Sequence, residues 1–348
     1  MTSTEASRAA AHLPIRPDWL AQRREPIIEP DRLIIDPHHH LWDRPGNRYL
    51  LPEILEDIAG GHAVRATVFI EARSMYRPDG PEELRSLGET EFVNGIAAMS
   101  ASGGYGPARV AAGIVGHVDL RLGARAAGVL EQHIAIAGGR FRGIRQSSPY
   151  HEDPSARGSS VSAPPGLLAD AAFRAGFKCL RLLGLSFDAW MYHPQLPELG
   201  DLARAFPDQP IVLNHIGGAL GIGPYDGKRA EVFRDWSAAI RALAACPNVH
   251  VKLGGLGMPL TGFDFGRRAA PASSEELAAA WRPYFETCIE AFGPQRCMVE
   301  SNFPVDKGMF SYAVMWNAFK RCAAGHSADE KTELFSGTAA RFYRLSVP

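Results

Sequence analysis

The sequence predicts an α/β protein folded as a single (β/α)8 TIM barrel. Three observations predict this fold: eight short apolar runs occur along the chain, segments with helical periodicity separate them, and most runs end in a polar or metal-binding side chain. Strands that alternate with helices form parallel βαβ units. Eight such strands favour a closed barrel over an open sheet, and the active site of a barrel lies at the carboxyl ends of its strands.

The expected strands are rich in β-branched and other apolar residues, which suit a pleated, buried surface. They run over residues 33–36, 66–71, 110–115, 141–146, 186–191, 211–215, 249–253 and 297–302. Helices are expected over residues 89–99, 124–137, 166–184, 196–206, 229–245, 274–292 and 309–324. Two connections are long, residues 147–165 and residues 254–273. Loops of this length are typically lids or binding loops.

Length and composition fit one barrel domain. The chain has 348 residues, of which 46% are hydrophobic and 22% charged, as is ordinary for a globular protein. We expect an N-terminal arm over residues 1–30 and the barrel over residues 31–348. A barrel core of this size needs no disulfide or metal for its stability.

Charge and cysteine content exclude several classes of protein. The 37 basic and 38 acidic residues give a net charge of −1, so neither a nucleic-acid footprint nor a polybasic membrane patch is visible. No run approaches the roughly 20 apolar residues of a membrane span, and residues 1–30 lack a signal-peptide core. The five cysteines form no CxxC pair, which favours reduced thiols. We therefore expect a cytoplasmic homodimer or related hetero-oligomer that acts on a small molecule.

The segment after the first expected strand contains a potential metal site. His38 and His40 are separated by one residue, and in a strand residues i and i+2 face the same side. Both imidazoles can therefore reach one ion, while His39 points away. Imidazole suits divalent ions such as zinc, manganese and iron.

These residues resemble a known family. Residues 36–43 (Asp-Pro-His-His-His-Leu-Trp-Asp) resemble the strand-one signature of the amidohydrolase superfamily, and residues 212–218, 251–255 and 300–304 resemble later strand ends. More narrowly, the chain is similar to the amidohydrolase-2 branch of metal-dependent TIM-barrel hydrolases. That branch contains sugar lactonases and pyrone-dicarboxylate lactonase, and it is similar to metal-dependent decarboxylases of aromatic acids. The resemblance covers residues 31–345.

The resemblance implies a set of metal ligands. Strand one would supply His38 and His40, strand five would supply His193, and strand six would supply His215. An alternative for His193 is a turn in which its ring caps the next helix. The ligands would hold one or two divalent ions, which could be zinc, manganese or iron.

At strand eight the chain departs from the family pattern. The usual Gly-Ser-Asp-Trp-Pro run reads Glu-Ser-Asn-Phe-Pro here, so Asn302 occupies the aspartate position. An amide can bind a metal through its oxygen, but it cannot accept a proton as a base. Three carboxylates could compensate, namely Glu71, Glu300 and Asp306. Because residues 300 and 302 share a face, we expect Glu300 to lie one layer deeper in the barrel.

Glu71 opens a second possibility for the metal centre. A carboxylate among the histidines could bridge two ions, with Asn302 as a further ligand, and such mixed ligand sets also suit iron or manganese. A few members of the wider superfamily resemble dinuclear iron oxygenases. The alternative for Glu71 is an ion pair with Arg73 or Arg145, as is common for a buried charge.

Other side chains could bind the substrate. Arg73, Arg145 and Lys252 are candidate anchors for a carboxylate, because a cation can hold this group through hydrogen bonds. Trp190 and Tyr192 could form the wall of a pocket for a cyclic or aromatic substrate.

We interpret the chain as a metal-dependent hydrolase that opens a small cyclic ester or amide, of lactone type, through metal-activated water. Glu71 or Glu300 would take the proton, with Asn302 beside them. The alternatives are a dinuclear iron or iron/manganese oxygenase, a non-oxidative decarboxylase, and a non-catalytic partner subunit.

Overall fold

The computed structural model describes residues 13–346, and its centre is a barrel of eight parallel strands. The β-strands, in chain order, are β1 (Ile34–His39), β2 (Trp42–Arg44), β3 (Asn47–Tyr49), β4 (Val64–Ile70), β5 (Arg109–Gly116), β6 (Phe141–Arg145), β7 (Ser186–Ala189), β8 (Ile211–Leu213), β9 (Val249–Leu253) and β10 (Cys297–Val299). The large sheet has the order β1-β4-β5-β6-β7-β8-β9-β10, and every neighbouring pair is parallel. This confirms the predicted fold.

The barrel closes just past the end of β10. Asn302 N donates to His38 O at 2.9 Å, and His40 N donates to Phe303 O at 2.8 Å. These hydrogen bonds join the segment after β10, the last strand of the sheet, to the carboxyl end of β1, the first strand. The closure therefore brings the strand-one histidines beside Asn302.

Helices cover the outside of the barrel. They are α1 (Pro17–Leu20), α2 (Leu51–Ile58), α3 (Leu87–Ala101), α4 (Ala126–Ile136), α5 (Ala171–Leu182), α6 (Leu196–Ala205), α7 (Arg229–Ala244), α8 (Ser274–Phe292), α9 (Tyr312–Cys322), α10 (Ala328–Thr332) and α11 (Thr338–Phe342). Each predicted helix overlaps one of them, although the third predicted helix starts later, at Ala171. No helix within residues 13–346 is long and apolar enough to cross a membrane.

The connection between β1 and β4 contains a hairpin that we did not predict. Strands β2 and β3 pair antiparallel through Arg44 and Asn47, so Pro45 and Gly46 form the turn. Gly46 has a φ of 70°, a conformation that glycine adopts without a steric penalty. The Pro-Gly pair indicates a turn. Each strand has only three residues, however, which is too short for an alternation of apolar and polar residues to be recognised.

The N-terminal arm packs against the loop that follows β9. Trp19 Nε1 donates to Arg268 O at 3.1 Å, and Arg23 Nε donates to Pro271 O at 3.1 Å. Leu13, which precedes α1, packs against two glycines whose missing side chains make space for it. If Gly308 carried a Cβ, that atom would lie 2.5 Å from Leu13 Cβ. The other glycine is Gly266, whose Cβ would lie 2.7 Å from Leu13 Cδ1. The described part of the arm is therefore seated on the barrel, and its residues 1–12 lie outside the described range.

All five cysteines are free and buried, so among the described residues they act as small apolar side chains. Burial raises the pKa of Cys288 well above its ordinary value and that of Cys297 above the usual range. A buried thiol with a raised pKa is chemically inert.

A buried histidine of α4 that faces α3 makes the free energy of unfolding depend on pH. His133 is fully buried, Thr90 Oγ1 is 2.8 Å from its Nδ1, and burial lowers the pKa of His133 to about 3. The unfolded chain takes up this proton below about pH 6.5 and the folded chain only near pH 3, so stability falls as the pH falls. We expect the wild type to lose about 1.4 kcal/mol per pH unit more than His133→Gln between pH 6 and 4. Urea unfolding at each pH measures both slopes, and equal slopes would contradict the assignment.

Candidate active site

A cavity of about 730 Å³ opens at the carboxyl ends of the strands. Seven residues singled out from the sequence line it: His40, Glu71, Arg73, Arg145, Trp190, His215 and Asn302. His38 and Glu300 lie beneath it, and both are fully buried. The two long loops reach the cavity through residues 158–161 and Met258, and the N-terminal arm reaches it through Leu13. The cavity thus combines strand ends with three segments outside the barrel.

Three histidines are each held by an acceptor at Nδ1. His40 Nδ1 lies 2.8 Å from Ile70 O, and because a carbonyl only accepts, this nitrogen carries the proton. His215 Nδ1 lies 2.7 Å from Glu300 Oε1, and His38 Nδ1 lies 2.7 Å from Oε2 of the same carboxylate. An unprotonated nitrogen so close to a carboxylate oxygen would be repelled, so we assign the proton of each of these two rings to Nδ1.

These tautomers leave three Nε2 lone pairs available for a cation. His38 Nε2 and His40 Nε2 face each other at 3.3 Å, and the ring centroids of His38 and His215 are 4.4 Å apart. Tetrahedral Zn–N bonds of about 2.0–2.1 Å place two ligand nitrogens roughly 3.3 Å apart. Two unprotonated nitrogens at this separation repel each other unless a positive charge lies between them. The donor set therefore fits a divalent metal ion.

The surroundings keep these imidazoles neutral, as metal ligation requires. Burial lowers the pKa of His38 well below its ordinary value, and the neighbouring Lys252 lowers it further. Burial likewise lowers the pKa of His40. Burial also lowers the pKa of His215, although the carboxylate of Glu300 works in the opposite direction.

A second possible ligand set includes the carboxylate. One ligand atom each from His38, His215 and Glu300 lies within 4.8 Å of the others. Both oxygens of Glu300 are already in contact with an imidazole Nδ1, however, and Oε1 also accepts from His215 N at 2.9 Å. These contacts favour Glu300 as the group that orients two ligating rings, which is the common arrangement behind metal-bound histidines.

Two glycines after β9 let this arrangement form. A Cβ on Gly254 would lie 2.4 Å from Glu300 O, and a Cβ on Gly255 would lie 2.5 Å from the His215 ring. Gly255 also has a φ of 68°, in the left-handed region that other residues rarely adopt. The glycines of the run 251–255 are thus explained by close approach to the histidine and its carboxylate.

Gly255→Ala is expected to lower zinc affinity about 10-fold or more, because the added methyl group displaces the His215 ring from its ligand position. Gly227→Ala is the matched control: Gly227 has a φ of 71°, and no atom lies within 4 Å of its Cβ position. Both variants carry a backbone strain of about 1–2 kcal/mol. Competition with a chromophoric chelator measures zinc affinity, and equal affinities for the two variants would contradict the role of Gly255.

Glu71 pairs with Arg145 and not with the histidines. Arg145 Nε donates to Glu71 Oε1 at 2.8 Å, and Arg145 Nη2 donates to Glu71 O at 2.6 Å. Burial raises the pKa of Glu71, but Arg145 opposes this effect and the pKa is lowered overall. Arg145 Nη1 also lies 3.4 Å from His38 Nε2. The expectation that Glu71 bridges two ions needs correction, and its alternative, the ion pair with Arg145, is what the structure contains.

His193 lies apart from the three histidines. Its Nδ1 accepts from Leu220 N at 3.2 Å, its ring packs edge-on against Tyr225, and it lines a different cavity. Strand β7 ends at Ala189, and the turn that follows carries the ring away from the barrel mouth. The expectation of His193 as a ligand therefore needs correction. With Glu71 and His193 in other roles, the dinuclear set loses two ligands.

Lys252 is a structural residue beneath the site. Its side chain is fully buried, and Nζ donates to Asp188 Oδ2 at 2.7 Å and to Pro37 O at 2.9 Å. Nζ is also 3.3 Å from His38 Nδ1. Lys252 does not line the cavity, so the expectation that it anchors a substrate carboxylate needs correction. Lys252 points into the barrel interior from β9, one layer of side chains below the floor of the cavity.

The two predicted aromatic residues after β7 have different positions. Trp190 lines the cavity, and its ring lies edge-on to His215 with the centroids 4.9 Å apart. Tyr192 does not line it; its hydroxyl accepts from Ser159 N at 3.0 Å. Tyr192 therefore supports the long loop whose Ser159 and neighbours form a wall, and the expectation that it contacts substrate needs correction.

Asn302 connects the cavity to a buried carboxyl group. It has a φ of 56°, and its Nδ2 donates to Asp306 Oδ1 at 2.8 Å. Gly257 N donates to the other oxygen of Asp306 at 2.9 Å, and burial raises the pKa of Asp306 to about 8. Asp306 does not line the cavity. It therefore holds Asn302 in place but does not stand where the aspartate of the family pattern would.

Sequence reasoning missed the role of Asp36, which precedes the histidines. Asp36 is fully buried, and burial raises its pKa to about 6. Its oxygens accept from Ser301 N at 3.0 Å and from Tyr312 Oη at 2.9 Å. The residue ties β1 to the segment after β10, and its place inside the strand-one signature was the available signal.

Comparisons with known proteins place this geometry in a family. The family model described as amidohydrolase matches residues 35–345. Protein y4mH of Sinorhizobium fredii is 36% identical over 329 residues, which are 90% of this chain and 99% of that protein. An L-fucono-1,5-lactonase of Burkholderia multivorans is 29% identical over 330 residues, which are 91% of this chain and 97% of that protein.

Solved structures that resemble this protein include further amidohydrolases. A crystal structure of a Burkholderia multivorans amidohydrolase with bound zinc has a TM-score of 0.67 and 28% identity, and the match covers 90% of this chain and 100% of that one. A 2-pyrone-4,6-dicarboxylic acid hydrolase structure from Pseudomonas putida, at 18% identity and a TM-score of 0.61, shares the fold. Because the family match spans most of the chain, this protein belongs to the amidohydrolase family and is an enzyme of the amidohydrolase superfamily.

Proposed function

We propose that this enzyme opens a small lactone by metal-dependent hydrolysis, with one divalent ion held by Nε2 of His38, His40 and His215. The observation that carries the proposal is that an oxygen atom lies within 2.8 Å of Nδ1 in each of the three histidines. We infer from these contacts that each Nε2 is unprotonated and can bind the ion. The relatives named as L-fucono-1,5-lactonases, at 29% and 27% identity, support a lactone as the substrate.

The chemistry that a divalent ion supplies when bound here is polarisation of the ester carbonyl and a lowered pKa for water, toward about 7. Glu71 takes the proton of the attacking water at Oε2, because its Oε1 accepts from Arg145. The lowered pKa of Glu71 keeps it ionised before the proton transfer and favours release of the proton afterwards. Glu71 then returns the proton to the ring oxygen as the C–O bond breaks.

The remaining residues orient the substrate and exclude water. Asn302 contacts the substrate through its carbonyl oxygen, since its Nδ2 is held by Asp306. Trp190 packs against His215, and Trp42 stacks on His40 with the centroids 5.8 Å apart. These indoles cover the histidines on the cavity side. Because an amide cannot accept a proton, Glu71 performs the proton transfer that the family pattern gives to an aspartate.

Metal content and lactone hydrolysis test this proposal together. We expect about one zinc or manganese ion per chain by mass spectrometry, and hydrolysis of a panel of five- and six-membered lactones followed with a pH indicator. His40→Ala should lose the ion and on the order of 10²-fold in kcat/KM. His326→Ala, which removes a histidine paired with Glu330 outside the cavity, is the matched control.

Three outcomes would contradict the proposal. Full activity of His40→Ala without its ion would exclude a metal-dependent mechanism. Release of CO₂ without lactone hydrolysis would favour the decarboxylase alternative. Two ions per chain with consumption of dioxygen would favour the oxygenase alternative.

A further inference from the structure

We propose that Arg73 binds a carboxylate group of the substrate, so that the enzyme selects carboxylated lactones, and that Glu89 is the residue that positions Arg73. This inference rests on the proposed function and specifies its substrate class. It comes from the charges along one cavity wall and from the backbone of the loop that carries Arg73.

Two of the arginines that line the cavity, Arg73 and Arg145, differ in their ionic partners. Arg145 is paired with Glu71, as described above. Within residues 13–346, no carboxylate lies within ion-pair distance of the Arg73 guanidinium. The wall therefore offers a guanidinium to an anionic ligand, and a guanidinium matches the geometry of a carboxylate.

The backbone around Arg73 is held in an unusual shape. Arg73 has a φ of 54° and Met75 a φ of 53°, both in the left-handed region that L-residues adopt only when their surroundings impose it. Ala72 N and Ser74 N, on either side of Arg73, donate to the same oxygen, Glu89 Oε1, at 2.9 Å and 2.8 Å. One buried carboxyl group thus holds the backbone amides of both neighbours of Arg73.

The start of helix α3 is built to support this loop. Glu89 lies in the first turn of the helix and is 1% exposed. At the preceding position, a Cβ on Gly88 would lie 2.5 Å from Met75 O and 2.7 Å from Arg77 N. Glycine is therefore required for the loop to lie against the helix and for Glu89 to reach the two amides.

The rest of the cavity is suited to the body of such a substrate. Trp42, Trp190, Met75 and Met258 line it together with Arg73. A ligand that fills it would place a ring against the indoles and a carboxylate at Arg73. A lactone without a charged group would leave the guanidinium in contact with solvent and would gain nothing from it.

Paired ligands that differ only in charge test the inference. Cyclohexanecarboxylate and the neutral cyclohexyl methyl ketone contain no hydrolysable bond, so isothermal titration measures binding apart from catalysis. We expect the wild type to bind the carboxylate at least 10-fold more tightly, and Arg73→Gln to lose this preference. Arg85→Gln, which removes an arginine outside the cavity, should keep it. A preference that Arg73→Gln leaves intact would overturn the inference, even if a bound ion contributes to affinity, because the substitution leaves the metal ligands unchanged.

The positioning role of Glu89 has its own comparison. Glu89→Gln keeps an oxygen at the place of Oε1 and should keep the carboxylate preference. Glu89→Leu leaves the Ala72 and Ser74 amides without an acceptor, and it should lose the preference to the same degree as Arg73→Gln. Circular dichroism checks that both variants fold. Loss of the preference in Arg73→Gln together with full retention in a folded Glu89→Leu would contradict the positioning role and leave the Arg73 site standing.

Catalysis and selectivity can fail separately in this design. Hydrolysis of 5-oxotetrahydrofuran-2-carboxylate and of γ-valerolactone, in which a methyl group replaces the carboxylate, measures the selectivity as the ratio of the two kcat/KM values. Equal hydrolysis of both lactones would support the lactonase and overturn the selectivity. Tight carboxylate binding that depends on Arg73, without hydrolysis of any lactone, would support the anion site and overturn the proposed reaction.

Discussion

Glu300→Gln is expected to reduce metal affinity and kcat/KM by about 10- to 100-fold. In the wild type Glu300 Oε1 is the hydrogen-bond partner of His215 Nδ1, and Glu300 Oε2 lies 2.7 Å from His38 Nδ1. Glutamine offers one oxygen and one amide group, so one imidazole N–H meets another donor. That ring must move its proton to Nε2, which removes the lone pair that binds the ion. Competition titration with a chelator and lactone kinetics measure the two losses.

Glu290→Gln is the control for this substitution, since Glu290 pairs with Arg241 at the surface. It should leave both quantities unchanged. Metal affinity of Glu300→Gln within a factor of two of the wild type would show that Glu300 does not set the tautomers. An unfolded Glu300→Gln chain is detected by circular dichroism before the titration, so a loss of binding can be assigned to the site.

Lys252→Met is expected to destabilise the protein by about 3–5 kcal/mol, because it leaves the buried charge of Asp188 unpaired. Asp188 is fully buried and receives Lys252 Nζ at 2.7 Å and Tyr343 Oη at 2.8 Å. The hydrogen bonds that remain from neutral donors do not offset the lost ion pair. Urea unfolding followed by tryptophan fluorescence measures the free energy of unfolding.

Two further variants show whether the buried charge is the cause. Lys252→Met combined with Asp188→Asn should recover part of the lost stability, since no charge is then left unpaired. Arg204→Met, which breaks the exposed pair with Asp201, should cost about 1 kcal/mol or less. A Lys252→Met protein as stable as Arg204→Met would mean that the pair contributes nothing to the fold.

Local patterns in the sequence were enough for the barrel and for part of the site. The eight strands could be predicted because burial on both faces of a parallel strand gives continuous apolar runs. His38 and His40 could be paired because strand geometry puts residues i and i+2 on one face. These inferences use neighbours within a few residues of each other, where the chain geometry is fixed by secondary structure.

The sequence could name a pair of distant residues only as one alternative, as it did for Glu71 and Arg145, and could not decide between the alternatives. The Arg145–Glu71 pair joins residues 74 positions apart, and the Lys252–Asp188 pair joins residues 64 positions apart. Arg145 lies at the end of a strand and Lys252 lies inside one. At such positions the sequence does not tell whether a cation is available to bind a substrate or already forms an ion pair within the protein. The depth of the side chain in the barrel decides between these two roles. That depth depends on the stagger of the strands around the whole sheet.

The direction of a side chain after a strand ends is equally hidden. His193 comes four positions after the last residue of β7, and the turn in between sets where its ring faces. Glu89 lies on a helix, whereas the site residues of a barrel are expected at the ends of its strands. Its signal was a glycine followed by an acidic residue in the first turn of α3. Acidic residues are common in the first turn of any helix, because they complement the helix dipole.

The seat of Leu13 on Gly266 and Gly308 has a consequence for how such enzymes can diversify. One wall of the cavity is supplied by a segment that precedes the first barrel strand and contributes nothing to the sheet. Changes in that segment can alter the shape of the substrate pocket without disturbing strand packing, on which stability depends. The shape of this one wall and the packing of the strands are thereby encoded in different stretches of the gene, so a mutation can change the wall and leave the barrel core intact.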